Sequence, residues 1–381
     1  MNDEYLYQCA NNLNNFSIQI IMLKSKQMSQ SICLCMIVKN ESHVIENTLK
    51  NICEKIPISY WIICDTGSTD KTKKIIKTFF KEKKIPGKLI KHTWKDFAHN
   101  RTKALARAYN KTDYLFIFDA DDSIVGNIVL PELTQDKYLL TFGNDVLYER
   151  PLLITNRKKW HFTGVLHEYL DADEPRTSAN ITGDYYVVSG RTGARNKNPN
   201  KYRDDAIVLK RAFEIEPRAD LKSRYAFYCA QSFRDAGMDE AIEWYEKCLT
   251  LNGWDQEKYY ACVQLGELYK KKNDKKYIYY WSKTCEYDQE RIDGIVKLAT
   301  AFFEDKNHAM VNAIYHKWKN HKSPSNKLFL EKYNYDLEYL NSISAYYVKD
   351  FGSGLECCKQ VILNRPDKKE NCIKNLTFYT L

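Results

Sequence analysis

Between Ser31 and Phe118 the apolar positions follow two alternating rhythms. Ser31–Val38 is a near-continuous apolar run, which predicts a strand covered on both faces. Residues 42–54 then set Val44, Ile45, Leu49 and Ile52 at helical spacing. Tyr60–Cys64 is a second apolar run, Lys88–His92 a short third and Tyr114–Phe118 a fourth. Between them one helix carries Ile75, Ile76, Phe79 and Phe80 on a single face, and another spans residues 97–109. Strands that alternate with helices predict a parallel sheet with right-handed crossovers. After Asp122 the alternation stops. Tyr138–Phe142, Asp145–Ile154, Trp160–Leu166 and Tyr185–Val188 read as strands of a mixed sheet edge on the acceptor side of a site.

Near Asn200 the pattern changes again, to long helical stretches rich in Tyr and poor in Pro and Gly. An internal repeat runs through them. Ala230, Phe233, Gly237, Ala241, Tyr245 and Cys248 recur as Gly266, Tyr269, Asn273, Tyr277, Trp281 and Thr284, and more faintly at Ala299 and Phe302. Offsets of 36 and 33 residues, with small and aromatic positions alternating about a turn, resemble the tetratricopeptide repeat. Tyr347–Val361 reads as a worn last copy. Two helices per repeat cannot bury their faces alone, so neighbours must stack. The expected organisation is an Asn-rich extension over residues 1–28, an α/β domain over 29–198 and an all-α helical-repeat domain over 199–381.

Composition narrows the classes. The chain has 381 residues, 44% of them apolar, enough for a sizeable core. Its net charge of +9 is spread along the sequence. The densest basic run, Lys71–Lys84, reads as the wet face of an amphipathic helix, so no nucleic-acid partner is expected. The twelve cysteines show no C-x-x-C pair and read as buried thiols in a reducing compartment. Asp3 and Glu4 stand where a secretory leader needs positive charge, and Ile18–Leu23 is too short to span a membrane. A soluble, cytoplasmic protein is expected, with peripheral membrane contact left open. The Walker pattern, the dinucleotide glycine fingerprint and the G-x-S-x-G elbow are all missing from the sequence.

The candidate chemistry gathers at the carboxyl ends of the first four strands, where open α/β sheets bind ligands. Asp119-Ala120-Asp121-Asp122 follows the fourth strand directly. Carboxylates this close repel one another unless a cation compensates, and Mg2+ or Mn2+ commonly bridges such groups to phosphate oxygens. Ile37-Val38-Lys39-Asn40-Glu41 ends the first strand and Asp65-Thr66-Gly67-Ser68-Thr69-Asp70 the second. Asn100-Arg101-Thr102-Lys103 opens the helix before the acidic strand.

In order and spacing these four motifs resemble the family 2 glycosyltransferases of the GT-A fold, over about residues 31–195. The resemblance implies a metal-dependent, inverting transfer from a nucleotide-sugar donor, UDP-linked. It places Ile37 and Lys39 against the uridine, Asp65 on the base, Asp119 and Ala120 near the ribose and pyrophosphate, Asp121 on the metal and Arg101 near the diphosphate. Asn40 and Glu41 read as structural. One departure is that Cys64-Asp65-Thr66 keeps a single acid where many members have two.

The run Trp160–Tyr169 contains His167-Glu168, a pair similar to one in lipopolysaccharide-core and repeat-bearing members of that family. The resemblance implies Glu168 as general base and His167 in the metal shell, or the two exchanged; Asp171 and Asp173 are weaker bases. Arg191 and Arg195, set among the glycines of Ser189–Arg195, suit a flap over the diphosphate or a basic linker. The acceptor stays open, a protein or a glycan being the candidates, with the repeats offering a surface for it or for an oligomer partner. Two other readings stand beside this one: a repeat scaffold whose transferase domain binds nucleotide without catalysis, and a nucleotidyltransferase.

Overall fold

The computed structural model describes residues 30–143, 146–190, 192–321, 324, 327–331 and 333–380. The extension over residues 1–28 lies outside the described residues.

The first part is built on one sheet. Strand β1 (Ile32–Val38) lies between β2 (Ile58–Asp65) and β4 (Tyr114–Ile117), parallel to both, and β3 (Gly87–Lys91) continues the parallel half beyond β2. Helix α1 (Ile45–Lys55) buries Ile45, Leu49 and Ile52, and α2 (Thr72–Glu82) buries Ile76, Phe79 and Phe80, on one face of this half. Helix α3 (Phe97–Ala108) covers the other face with Ala104, Leu105 and Ala108. Its start is capped by the Asp96 carboxylate, which accepts the His99 N–H at 2.7 Å.

Beyond β4 the sheet becomes mixed, in the order β4-β7-β6-β11-β5. These are β5 (Ser123–Val129), β6 (Lys137–Phe142), β7 (Val146–Thr155) and β11 (Thr182–Val188), with β10 (Ser178–Asn180) beside β6. The expected strand Trp160–Leu166 is split. Only β8 (Trp160–Thr163) is extended, and it pairs with β9 (Tyr169–Ala172) in a separate two-stranded sheet. Gly164, with φ +109°, turns the chain, and Leu166 leaves for another core. Strand β5 was not legible, because its outward residues Val125, Gly126, Asn127 and Val129 carry no alternation.

From Lys201 the described structure is almost entirely helical. It runs through α4 (Lys201–Ile215), α5 (Ala219–Asp235), α6 (Glu240–Thr250), α7 (Asp255–Lys271) and α8 (Lys276–Tyr287). It continues through α9 (Asp293–Glu304), α10 (His308–Trp318), α11 (Asp336–Tyr347), α12 (Phe351–Asn364) and α13 (Lys369–Leu376). Each helix packs on the next, and α5, α7, α9, α11 and α13 also pack in succession as one layer. The chain leaves α5, α7, α9 and α11 through a left-handed residue, in turn Gly237, Asn273, Lys306 and Lys349. The repeat read from the sequence is therefore a repeat of helix, left-handed turn and helix. No helix among the described residues is long and apolar enough to cross a membrane.

The two parts are not independent. Leu166 is buried in the helical core, with Phe97, Val165 and Tyr169 packed against the same cluster. In return, β12 (Leu330–Glu331), between α10 and α11, adds antiparallel to β7. Fully buried Arg291 anchors that connection, donating to the Leu328 carbonyl at 2.7 Å while its guanidinium pairs with Asp293.

The small position of the second repeat is set by contact. Gly266 on α7 lies flat against the Trp281 indole of α8, whose Nε1 donates to the Val263 carbonyl at 3.1 Å. A Cβ at Gly266 would collide with that ring, its nearest atom being Trp281 Nε1. Gly266→Ala should therefore destabilise the chain by about 1–3 kcal/mol through overpacking, despite the better helix propensity of Ala. Urea unfolding measures this; an unchanged or higher midpoint would show that the α7–α8 contact is looser than this packing requires.

Candidate functional site

The acidic turn is locked to α1. The Thr48 hydroxyl donates to the Ala120 carbonyl at 2.7 Å, and the Asn51 amide bonds both backbone groups of Ile124. Ala120 is thus a buried backbone anchor. The three carboxylates around it meet different partners. Asp119 Oδ1 accepts from Arg101 Nη2 at 2.6 Å, and its Oδ2 lies 3.6 Å from Arg150 of β7. Burial opposes the charge on Asp119, but the two guanidiniums outweigh it and hold the carboxyl below its usual range. Asp122 is buried, accepts the Gly190 N–H at 2.9 Å, and is pushed up to about 7 by burial and then by Asp119. Burial also raises Asp121, with Asp119 adding to the effect.

Arg101 is the hub. It is 8% exposed, and its Nε donates to Glu168 Oε1 at 2.6 Å while Nη2 holds Asp119. Its charge is stabilised by those two carboxylates against the cost of burial. The residue expected near the diphosphate thus ties the acidic turn to the expected base. Glu168 Oε2 makes no hydrogen bond to a described residue.

The glycine segment lies on the acidic turn. Gly193 N–H donates to Asp121 Oδ2 at 2.8 Å, and Ala194 N–H reaches both oxygens of Glu41 at 3.3 Å. A Cβ at Gly193 would stand 2.8 Å from Asp121 Oδ2, and one at Gly190 would collide with the Asp121 backbone, so glycine is what permits the approach. Burial raises the Glu41 carboxyl, with Asp121 as a like-charged neighbour. Arg191 lies outside the described residues. Arg195 turns toward the helices, pairing with Asp205 of α4 and lying over the Phe97 ring.

On the expected uridine side, Ile37 is half-buried and Lys39 exposed, at and just beyond the end of β1. Asp65 is buried, and its oxygens accept the N–H groups of Gly67 and Ser68 at 3.1–3.3 Å, so it closes its own turn. Asp70 braces the two loops, accepting from Ser42 N–H at 3.0 Å and the Thr72 hydroxyl at 2.6 Å.

His167 and Glu168, adjacent in sequence, face opposite elements. Glu168 turns to α3, whereas the His167 ring stacks on Tyr228 of α5, centroids 4.0 Å apart. Arg224 Nε holds the His167 carbonyl at 3.0 Å, and the Tyr225 hydroxyl accepts the Val165 N–H at 3.1 Å. His167 has a left-handed backbone, φ +53°. His167 keeps an exposed edge, and the packing round its ring, then Arg224, Arg195, Lys201 and Arg150, lower its pKa and keep the imidazole neutral.

The structure does not bring His167 and Asp121 into one ligand set. Among the described residues no group of three His, Cys, Asp or Glu side chains is arranged to hold a metal ion. The acidic turn still suits a hard cation. Its like-charged, upshifted carboxylates are relieved by one, and Mg2+ is usually held by one or two carboxylates together with substrate phosphates. Sequence reading missed Arg150, Arg224 and Tyr228. A charged residue within an otherwise strand-like run was the one signal for Arg150; Arg224 and Tyr228 matter only because α5 meets the hairpin.

Residues 33–137 match the family model described as Glycosyl transferase family 2. No curated protein matches the sequence. Among solved structures, the chain is similar to glucosyl-3-phosphoglycerate synthase from Mycobacterium tuberculosis in complex with Mn2+, UDP and phosphoglyceric acid. That match has 17% identity over 26% of this chain and 36% of that one, with a TM-score of 0.21. It is also similar to S. aureus TarS with UDP-GlcNAc, at 11% identity over 63% of this chain and 81% of that one, TM-score 0.33. A tetratricopeptide repeat protein from Parabacteroides merdae matches at 14% identity over 48% and 67%, TM-score 0.34. The chain thus spans about a third of the first of these relatives.

Removing Arg101 would leave two carboxylates facing each other without their shared cation. Arg101→Ala should cost about 3–5 kcal/mol, the range for breaking a buried ion pair from one side. Arg101→Lys should recover only part of this, because an ammonium cannot span both acids in the guanidinium's planar geometry. Chemical denaturation of the two variants reads the difference; equal stability of Arg101→Ala and the parent chain would remove Arg101 from its role as the joint.

Proposed function

We propose that this chain is a glycosyltransferase that moves a sugar from a UDP-linked donor to an acceptor hydroxyl, with inversion and with Mg2+ or Mn2+. The observation that carries this reading is the Asp119–Arg101–Glu168 bridge. It joins the acidic turn, inside the stretch matched to glycosyl transferase family 2, to a carboxylate with one oxygen left for a substrate.

In this reading Ile37 and Lys39 border the uridine, and Asp65 meets the base by way of the turn it closes. Asp119 and Ala120 border the ribose and pyrophosphate. Asp121 would hold the divalent ion together with diphosphate oxygens, and that ion would offset the charge growing on the departing diphosphate. Glu168 Oε2 takes the acceptor proton while Arg101 fixes the carboxylate through Oε1. The acceptor oxygen bonds the anomeric carbon from the face opposite the leaving group. The carbon–phosphate-oxygen bond breaks, and UDP departs with the electron pair. Glu168 is favoured over His167 as base because the cationic surroundings that keep His167 neutral also make it a poor proton acceptor. The same cations oppose a metal at His167. The segment Gly190–Ala194, whose N–H groups now hold Asp122, Asp121 and Glu41, must yield those oxygens when an ion enters.

Two substitutions test the assignment. Asp121→Ala should abolish metal-dependent UDP binding, read by calorimetry. Glu168→Gln should keep UDP binding but lower transfer by about 10²–10⁴-fold, the share a general base supplies. Full transfer by Glu168→Gln would give the base role to another group. Release of pyrophosphate instead of UDP would mark a nucleotidyltransferase. Metal-dependent UDP binding with neither transfer nor donor hydrolysis would mark a nucleotide-binding scaffold.

A further inference from the structure

We propose that the rim formed by α2 and the edge strand β3 is a docking surface for an anionic lipid bilayer. The proposal is independent of the transfer reaction. Positive charge is spread along the chain, but elsewhere acids offset it; residues 71–91 are where the balance fails. This segment holds nine lysines and one acid, Glu82, a net of +8 against +9 for the whole chain. All nine lysines are exposed. Lys73 donates to the Ser68 carbonyl at 2.6 Å and stands 4.0 Å from Asp65. None of the other eight has a carboxylate within ion-pair reach among the described residues.

Helix stability does not account for this arrangement. The macrodipole favours lysine at a helix C-terminus, which suits Lys81 and Lys83, and disfavours it at the N-terminus. Yet Lys71, Lys73 and Lys74 occupy the start of α2, whose first turn has no acid. Lys73, Lys77 and Lys81 follow one another at i,i+4, a like-charge spacing that weakens a helix in water. On neighbouring α1 the same spacing carries an opposite pair, Lys50 with Glu46 at 2.7 Å. Lys88 and Lys91 have a separate reason, since lysine on an edge strand discourages pairing with another chain. The lysines of α2 have no such reason, and their mutual repulsion is relieved against a negative surface.

The uncharged positions select the kind of surface. Ile75, Ile85, Leu89 and Ile90 are half-buried between the lysines, and the exposed neutral residues are Thr78 and Pro86. Within this segment no aromatic ring is exposed for stacking on a base, and there is no Arg, Asn or Gln to read a base edge. Ammonium heads above aliphatic stems and aliphatic neighbours suit lipid headgroups and the acyl boundary beneath them. Helix α2 begins directly after the Asp65–Asp70 turn. A docked rim therefore sets the carboxyl edge of the sheet, and with it the acidic turn, beside the headgroups.

The test is sedimentation of the full chain with vesicles of phosphatidylcholine alone, or of phosphatidylcholine and phosphatidylserine in equal parts. The chain should bind the mixed vesicles, ignore the neutral ones, and come off at high salt, which screens exposed charge. Each lysine near an anionic surface contributes about fivefold in partitioning, so Lys74→Gln, Lys77→Gln and Lys81→Gln combined should weaken binding about 100-fold. Gln keeps the helix propensity of Lys. A control removes the same charge from the helical part, through the exposed Lys271→Gln, Lys275→Gln and Lys317→Gln, and should bind as the parent chain does. Circular dichroism verifies that both variants fold. Equal weakening by the two variants would assign binding to overall charge and overturn the proposal. Binding to a DNA duplex but not to the mixed vesicles would make the rim a nucleic-acid surface, and binding to neither would make it a solvated face. Either result overturns the proposal as well.

Discussion

The arrangement of the site depends on one buried guanidinium. Arg101 is inserted between Asp119, at the end of a parallel strand, and Glu168, on a connection outside the main sheet. Without a cation between them the two carboxylates would repel each other. With Arg101 between them they are held about one guanidinium apart. Such a pair adds little net stability over an apolar substitute, because desolvation offsets most of the attraction. What it supplies is geometry: the planar fork fixes the direction of each carboxylate.

That joint also explains why the helical part belongs to the site. The connection from Thr163 to Tyr169 has little packing of its own and rests on α5 through Leu166, the Tyr225 hydroxyl and the Arg224 guanidinium. From the other side, β12 extends the sheet at β7, and Phe329 next to it packs on Tyr148, two residues from Arg150. The repeats therefore brace the first part at two places, the connection before Tyr169 and strand β7. Cutting the chain near Lys201 would expose the apolar faces of Leu166 and Val165 and remove the partner of His167, so the first part would lose the support of its hairpin.

Charge is distributed unevenly over the site. The acidic turn carries carboxylates that burial and mutual repulsion raise, held by the backbone N–H groups of Gly190 and Gly193. Much further along the chain, Arg224, Arg195, Lys201 and Arg150 lower the pKa of His167. The glycines at 190 and 193 are required by close backbone approach alone, which is why Ser189–Arg195 looked equally like a flap and a linker in sequence.

The sequence by itself determined the elements whose signal is local. The buried apolar strands, the amphipathic faces of α1 and α2, the acidic turn and the small and aromatic repeat positions are all written in spacing, because each reflects burial along one element. The position of Gly266 is an instance: its smallness was legible, though the Trp281 ring that demands it was not. What only the tertiary structure decided are the meetings of distant segments. Asp65, expected on the base, also closes its own turn. Arg101, expected near the diphosphate, bridges two acids 18 and 67 residues away, which spacing alone did not reveal. His167 and Glu168 looked like one functional pair, but their side chains part, because a left-handed residue at 167 and a helix 60 residues further on pull the ring toward Tyr228. Periodicity records which face of an element is dry; it carries no record of which charge from elsewhere in the chain will be placed against it.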